Sequence, residues 1–297
     1  MTGRATDHAD DIRNASGSEG EDARASGPSM TFPRSLRAET LRLRRSSLVP
    51  LHLICALAAG AACGAYFATA PWDASMGADA FVQLLGAMMP LMAGIVCGLD
   101  VDAEREATCF SGMLAVPSRR KAIAARLCTL WLMGAFALVL AAAAFAAPLI
   151  LVGRQALGPA AWAGAVVGLA FGSIPLYLVL YVAALRWGRN AAIVAGAAGL
   201  MLSFFSMGGL AHGLMTGALT AADANALSYL PTSWPALLGS LPIELSIAGG
   251  SAGSFDAAAH VAGAIWPLAG LCAIATAMLA GGLAAWISRF EPARHGE

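Results

Sequence analysis

Six apolar segments, each long enough to cross a lipid bilayer, dictate most of what this chain can fold into. They fall at about residues 48–70, 81–99, 122–152, 160–185, 191–212 and 260–287. A hydrocarbon core takes about 20 residues of helix, and its backbone amides must be satisfied within the protein. Leu, Ala and Val dominate these segments without the alternation of a barrel strand, so the pattern predicts helices. The chain is 58% hydrophobic and 12% charged, with mean hydropathy +0.69, whereas soluble domains carry about 25% charged residues. The expected fold is an all-α polytopic membrane protein, with six transmembrane helices occupying residues 48–288.

Basic residues set the orientation. With the amino terminus in the cytoplasm, Arg105, Arg119, Arg120, Lys121, Arg126, Arg186, Arg189, Arg289 and Arg294 all fall inside, and Arg154 alone falls outside. That asymmetry is the positive-inside pattern, and it places both termini in the cytoplasm. The outer segments hold Asp73, Asp79, Asp223, Glu244 and Asp256, so one base faces five acids there.

Residues 1–29 are polar, with Ile12 their sole large aliphatic residue. They cannot bury enough surface to fold and are expected to be a disordered cytoplasmic tail, not a signal peptide. A start at Met30 is an equal alternative. Residues 30–47 carry Arg34, Arg37, Arg42, Arg44 and Arg45, with Phe32, Leu36 and Leu43 on one helical face that Leu41 interrupts. This suits an interfacial helix on an anionic leaflet, although simple flanking of the first span accounts for the arginines equally well. Residues 289–297 form a short cytoplasmic tail. Between the last two spans, Tyr229, Pro231, Trp234, Pro235 and Pro242 mark a segment apolar enough to re-enter the bilayer at the outer interface.

Small residues recur every fourth position at Gly60 and Gly64, at Gly94 and Gly98, and at Gly164, Gly168 and Gly172. Such spacing permits close helix approach, and the triple carries most weight in so Ala/Gly-rich a chain. Pro148 and Pro175 are expected to kink their helices. The six cysteines lack a CxxC pair and read as free thiols.

Catalytic patterns are missing. The lone lysine, Lys121, follows no glycine, so no Walker loop forms, and neither HExxH nor GxSxG occurs. No metal or cofactor is expected on this chain. Span interiors look nearly free of ionisable groups, with Gln83 near one end of the second span and Asp100 closing the other. That disfavours an ion-coupled carrier, and the energy for any transport then comes from another subunit.

The segment 102–126 is the longest charge-bearing run in the body of the chain. Asp102, Glu104 and Glu106 suit the start of a short helix that Asp102 caps. Phe110, Met113 and Leu114 follow at i, i+3 and i+4, then Pro117 ends the helix and Ser118 caps the third span. Arg119, Arg120 and Lys121 sit where the helix dipole disfavours cations, a fraction of a kcal/mol to about 1 kcal/mol that topology outweighs. The apolar edge fits docking into a partner's groove and fits packing on the membrane surface equally well.

The run EREATCFSGMLAVPSR, with Glu104, Ala107, Phe110, Met113 and Leu114 ahead of Pro117, Ser118 and Arg119, resembles the cytoplasmic loop of ABC-2 type permeases. It is most similar to the lantibiotic-immunity subgroup. Arg37–Arg45 and the run YLPTSWP also resemble that family, from about residue 30 to the C-terminus. Thr108 stands where the family often has glycine. The resemblance implies a permease paired with a second permease, identical or different, and with cytoplasmic ATPases that use ATP and magnesium. It makes Glu104, Phe110, Met113, Leu114, Pro117, Arg119 and Arg120 the ATPase-coupling segment, and places Tyr229, Pro231, Trp234 and Pro235 at the outer mouth. It implies a bacterial plasma-membrane protein that removes a cationic antimicrobial peptide from the lipid bilayer and binds no nucleic acid. The alternatives are an exporter of another amphipathic or lipid-like substrate, and a membrane assembly protein without transport.

Overall fold

Each apolar segment becomes a helix, and several run well past their apolar core because polar residues at their ends keep helical geometry. The computed structural model describes residues 31–110, 116–154, 157–206, 210–223, 225–250 and 255–287, apart from the side chains of residues 108 and 210–212. The expected terminal tails, and Met113 and Leu114, lie outside the described residues. In chain order the elements are α1 (Phe32–Leu43), α2 (Leu48–Thr69), α3 (Ala74–Thr108), α4 (Arg119–Leu151), α5 (Pro159–Trp187) and α6 (Arg189–Ser206). Then come α7 (Leu210–Thr216), a 3₁₀ turn (Ala226–Tyr229), α8 (Trp234–Gly250) and α9 (Phe255–Ile287). All described regular structure is helical. Six of these helices, α2 to α6 and α9, are long and apolar enough to span a membrane, and the chain is a multi-pass membrane protein.

The second span departs furthest from expectation. It was expected over 81–99, but α3 has 35 residues, starting at an Asp73 cap whose carboxylate accepts the N–H groups of Ser75 and Met76. At 1.5 Å per residue it is about 52 Å long, so it overshoots the hydrocarbon core and carries Asp79 and Asp100 within one continuous helix. Asp102 therefore lies inside α3 and caps no short helix.

Close packing of glycines holds the bundle together. A Cβ on Gly60 or Gly64 would stand 2.4 or 2.5 Å from carbonyl oxygens of α4, and one on Gly94 would stand 2.5 Å from Ala192 O of α6. At Gly168 and Gly172 the obstacles are Leu238 O of α8 at 2.0 Å and Pro235 N at 2.7 Å. All three small-residue pairs and triples thus face a neighbouring helix, the first two as well as the triple. Without a hydrophobic force between helices in lipid, this backbone approach supplies the dispersion contact. Phe81 and Phe145 stack at 4.3 Å near the centre of the core.

The helix α1 lies against α4, with Leu43 buried and Leu36 half-buried, while Leu41 is exposed as its off-face position requires; Phe32 is exposed as well. The helix α8 is enclosed by α3, α5 and α9. Its Trp234 is buried, its indole N–H donating to Ser228 O at 3.1 Å.

Candidate functional site

Basic and acidic side chains gather at the end of the bundle where α3 finishes and α4 begins. Arg126, two turns inside α4, is 2% exposed. Its Nε donates to Asp100 Oδ2 at 2.5 Å, one terminal nitrogen to Glu104 Oε2 at 2.9 Å, and the other to the Asp100 carbonyl at 3.0 Å. Asp100 and Glu104 are one helical turn apart on α3 and so present a single face, which the planar guanidinium fork can span. Asp100 Oδ1 also accepts from Arg42 of α1 at 2.7 Å, and Arg42 reaches Glu39 at 2.8 Å. A separate pair joins Asp102 to Arg189 at the start of α6, 2.9 Å apart. These ion pairs tie α1, α3, α4 and α6 together beside the charged turn. The Tyr181 hydroxyl is buried among them without a hydrogen-bond partner among the described residues.

The span interiors are therefore not clean. Arg126 sits inside the third span as the sequence alone delimits it, and its charge looked like one more flanking arginine. An arginine within an apolar segment is itself a signal, and so is the Asp100/Glu104 spacing.

At the turn, α3 ends on two consecutive left-handed residues, Cys109 at φ 49° and Phe110 at φ 66°. Each costs about 1–2 kcal/mol for a side chain with a Cβ. The Cys109 N–H closes the helix onto Arg105 O at 3.0 Å, and the Arg105 guanidinium stands 5.5 Å from the Phe110 ring centroid. That cation–π contact offsets part of the strain. Phe110 is 8% exposed, so within this chain it is an anchor for the turn rather than an outward-facing edge. Pro117 and Arg120 are exposed and Arg119 is half-buried. Ser118 occupies the cap position of α4 but makes no side-chain capping bond.

The opposite end is built differently. Arg154 spreads over the carboxyl end of α2, donating to Phe67 O at 2.9 Å, Ala70 O at 2.6 Å and Trp72 O at 2.5 Å. It satisfies carbonyls that the helix end leaves open. Asp79 and Glu244, expected in outer loops, are instead buried on α3 and α8; only Asp73, Asp223 and Asp256 of the five expected outer acids are exposed. Of the residues expected at an outer mouth, Tyr229 lines a cleft of about 620 Å³ between α8 and α9, together with His260. Pro231 is half-buried beside it, whereas Trp234 and Pro235 are packed inward against α5.

The six cysteines carry no disulfide, and among the described residues no cluster of His, Cys, Asp and Glu suits a metal ion. His52 is buried, with its Nδ1 2.8 Å from Leu48 O.

Comparison with curated proteins and with solved structures gave no match. The model of the family described as ABC-2 family transporter protein matches residues 35–208. That stretch runs from within α1 to the end of α6, and so includes the ion-paired end and the charged turn. On a match over more than half of its length, the chain belongs to the ABC-2 family of transporter proteins.

Proposed function

We propose that this permease subunit is the membrane half of an ATP-driven exporter that removes a lantibiotic or similar cationic antimicrobial peptide from the membrane. The family implies an ABC ATPase as partner, and residues 109–120 are the segment we assign to it. The observation that carries this reading is the ionic clamp of Arg126 with Asp100 and Glu104. It locks the two helices on either side of the turn into one unit, so a push on the turn is delivered to α3 and α4 together rather than absorbed by the loop. Arg42 extends the same unit to α1. Exposed Pro117 and Arg120 give a soluble partner something to grip. This end faces the cytoplasm by the arginine asymmetry.

The choice of cargo rests on the resemblance in the charged segment. The exposed acids Asp73, Asp223 and Asp256 at the other end agree with a cationic cargo, and the cleft beside Tyr229 has room for an apolar side chain of it. The permease pairs with a second copy or a sister subunit.

A pull-down from mild detergent tests the coupling contact, comparing wild type with Arg120→Glu and with Leu114→Asp. Loss of a bound ATPase in both variants, with the permease still folded, supports the assignment. Retention in both removes residues 109–120 from the contact. Survival of cells under peptide challenge then tests the cargo, and equal killing with and without the transporter refutes the peptide assignment.

A further inference from the structure

Two carboxyl groups without a basic partner lie inside the protein at the end remote from Arg126. Asp79 of α3 is 2% exposed and Glu244 of α8 is 0% exposed. Asp79 accepts from uncharged donors at both oxygens, from the Ser240 hydroxyl at Oδ1 and from Gln83 Nε2 at Oδ2, 2.8 Å away. Gln83 Nε2 also reaches Thr220 Oγ1 at 3.2 Å and Ser240 Oγ at 3.3 Å. Glu244 Oε1 accepts the backbone N–H groups of Thr220 at 2.7 Å and Ala221 at 2.8 Å. Glu244 Oε2 is buried with no hydrogen-bond partner among the described residues. The two carboxyls belong to one network: Ser240, which bonds Asp79, is one helical turn from Glu244 on α8, and Gln83 links Asp79 to Thr220, whose N–H Glu244 accepts.

No lysine or arginine among the described residues answers them. The loop before α8 contributes Asp223, which is acidic, exposed, and 3.3 Å from His260 of α9. The other ionisable group near the start of α9 is exposed Asp256. Asp73 and Arg154 are engaged at the α2–α3 connection, and α5 carries its one charged residue, Arg186, at its far end. The side chain of His212 on α7 lies outside the described residues. Two ionised carboxylates in this setting would bear a desolvation cost that neutral donors do not return.

We propose that Asp79 and Glu244 form a binding site for one positive charge, supplied as a proton or as a sodium ion and received at Glu244 Oε2. Both oxygens of Asp79 are already engaged by donors. Glu244 has donors on Oε1 only, which leaves Oε2 as the position where an added charge meets no competitor. The site joins three pieces of chain: α3 through Asp79 and Gln83, the loop through Thr220 and Ala221, and α8 through Ser240 and Glu244. Emptying it leaves like charges across the α3–α8 contact. Ala221 and Ala222 also line the cleft beside Tyr229, so the occupancy of the site bears directly on the shape of that cleft.

The test uses the full chain in detergent, followed by thermal unfolding and infrared spectroscopy. If sodium fills the site, the unfolding temperature rises saturably with sodium chloride and not with N-methylglucamine chloride, and Glu244→Gln abolishes the rise. If a proton fills it, sodium has no effect and the infrared spectrum at neutral pH shows a protonated-carboxyl band that Glu244→Gln removes. In that case the folded state holds a proton that the unfolded state releases, so stability falls as pH rises. Wild type should then lose about 2–4 °C on alkaline titration, and Glu244→Gln should not. Asp79→Asn carries the same comparison if Glu244→Gln does not accumulate. A wild type with no sodium dependence, no protonated-carboxyl band and the same pH profile as these variants overturns the proposal.

Discussion

Asp79 and Asp100 lie on the same helix, about 32 Å apart along its axis, and their surroundings are opposite in kind. Asp100 meets two arginines, at 2.5 Å and 2.7 Å. Asp79 meets a serine hydroxyl and a glutamine amide. One end of the bundle is held by opposed charges and the other by neutral donors around two acids. Topology gives the reason: arginines are retained on one side of the membrane, so acids buried at the other side have to find another form of neutralisation. The ion-paired end is suited to transmitting force between rigid helices, and the acid end to answering its ionic surroundings.

The contrast is most sharply broken at Arg126. Arg126→Met leaves Asp100 and Glu104 buried without their shared partner, and removing one member of such a set costs about 3–5 kcal/mol. We expect little folded protein to survive extraction, as measured by monodisperse yield in detergent, whereas Asp79→Asn should extract like wild type. Equal losses in the two variants would erase the distinction between the ends. Packing comes next. Gly168→Val places side-chain atoms where Leu238 O already lies and should cost about 1–3 kcal/mol, read as a lower unfolding temperature; Gly263→Val, with open space around it, should not change it.

Asp73 offers a smaller effect. Hydrogen bonding from the Ser75 hydroxyl and from the Ser75 and Met76 N–H groups, together with nearby Arg154, holds its carboxyl below the usual range. A depressed folded pKa means the cap is intact at neutral pH and lost as pH falls through that value. Asp73→Ala should cost about 1 kcal/mol at neutral pH, and the gap from wild type should close in acid. The smallest change in stability belongs to Arg120→Glu, within about 0.5 kcal/mol for an exposed site. If its unfolding temperature drops well beyond that, Arg120 is structural and a lost ATPase contact says nothing about coupling.

Much of the turn was legible in advance. Glu104, Phe110, Pro117 and Arg119 do mark where two spans meet, because charge and proline interrupt an apolar run locally. The inward role of Phe110 was not legible, since i, i+3 spacing describes a face without saying what covers it. Trp234 misled for a similar reason: a tryptophan among prolines suits a membrane interface, and only the fit of α8 against Gly168 and Gly172 takes it inside.

Sequence by itself determined the six spans, the two unlike ends and the absence of the standard catalytic motifs, because hydropathy and charge placement are sums over neighbouring residues. Tertiary structure alone decided that Arg126 closes on Asp100 and Glu104, that the four-residue-spaced glycines of α2, α3 and α5 each have a helix to face, and that Asp79 and Glu244 are buried rather than in outer loops. Those facts depend on which helices meet and at what height, and a pairing between α3 and α8 lies more than 160 residues apart along the chain.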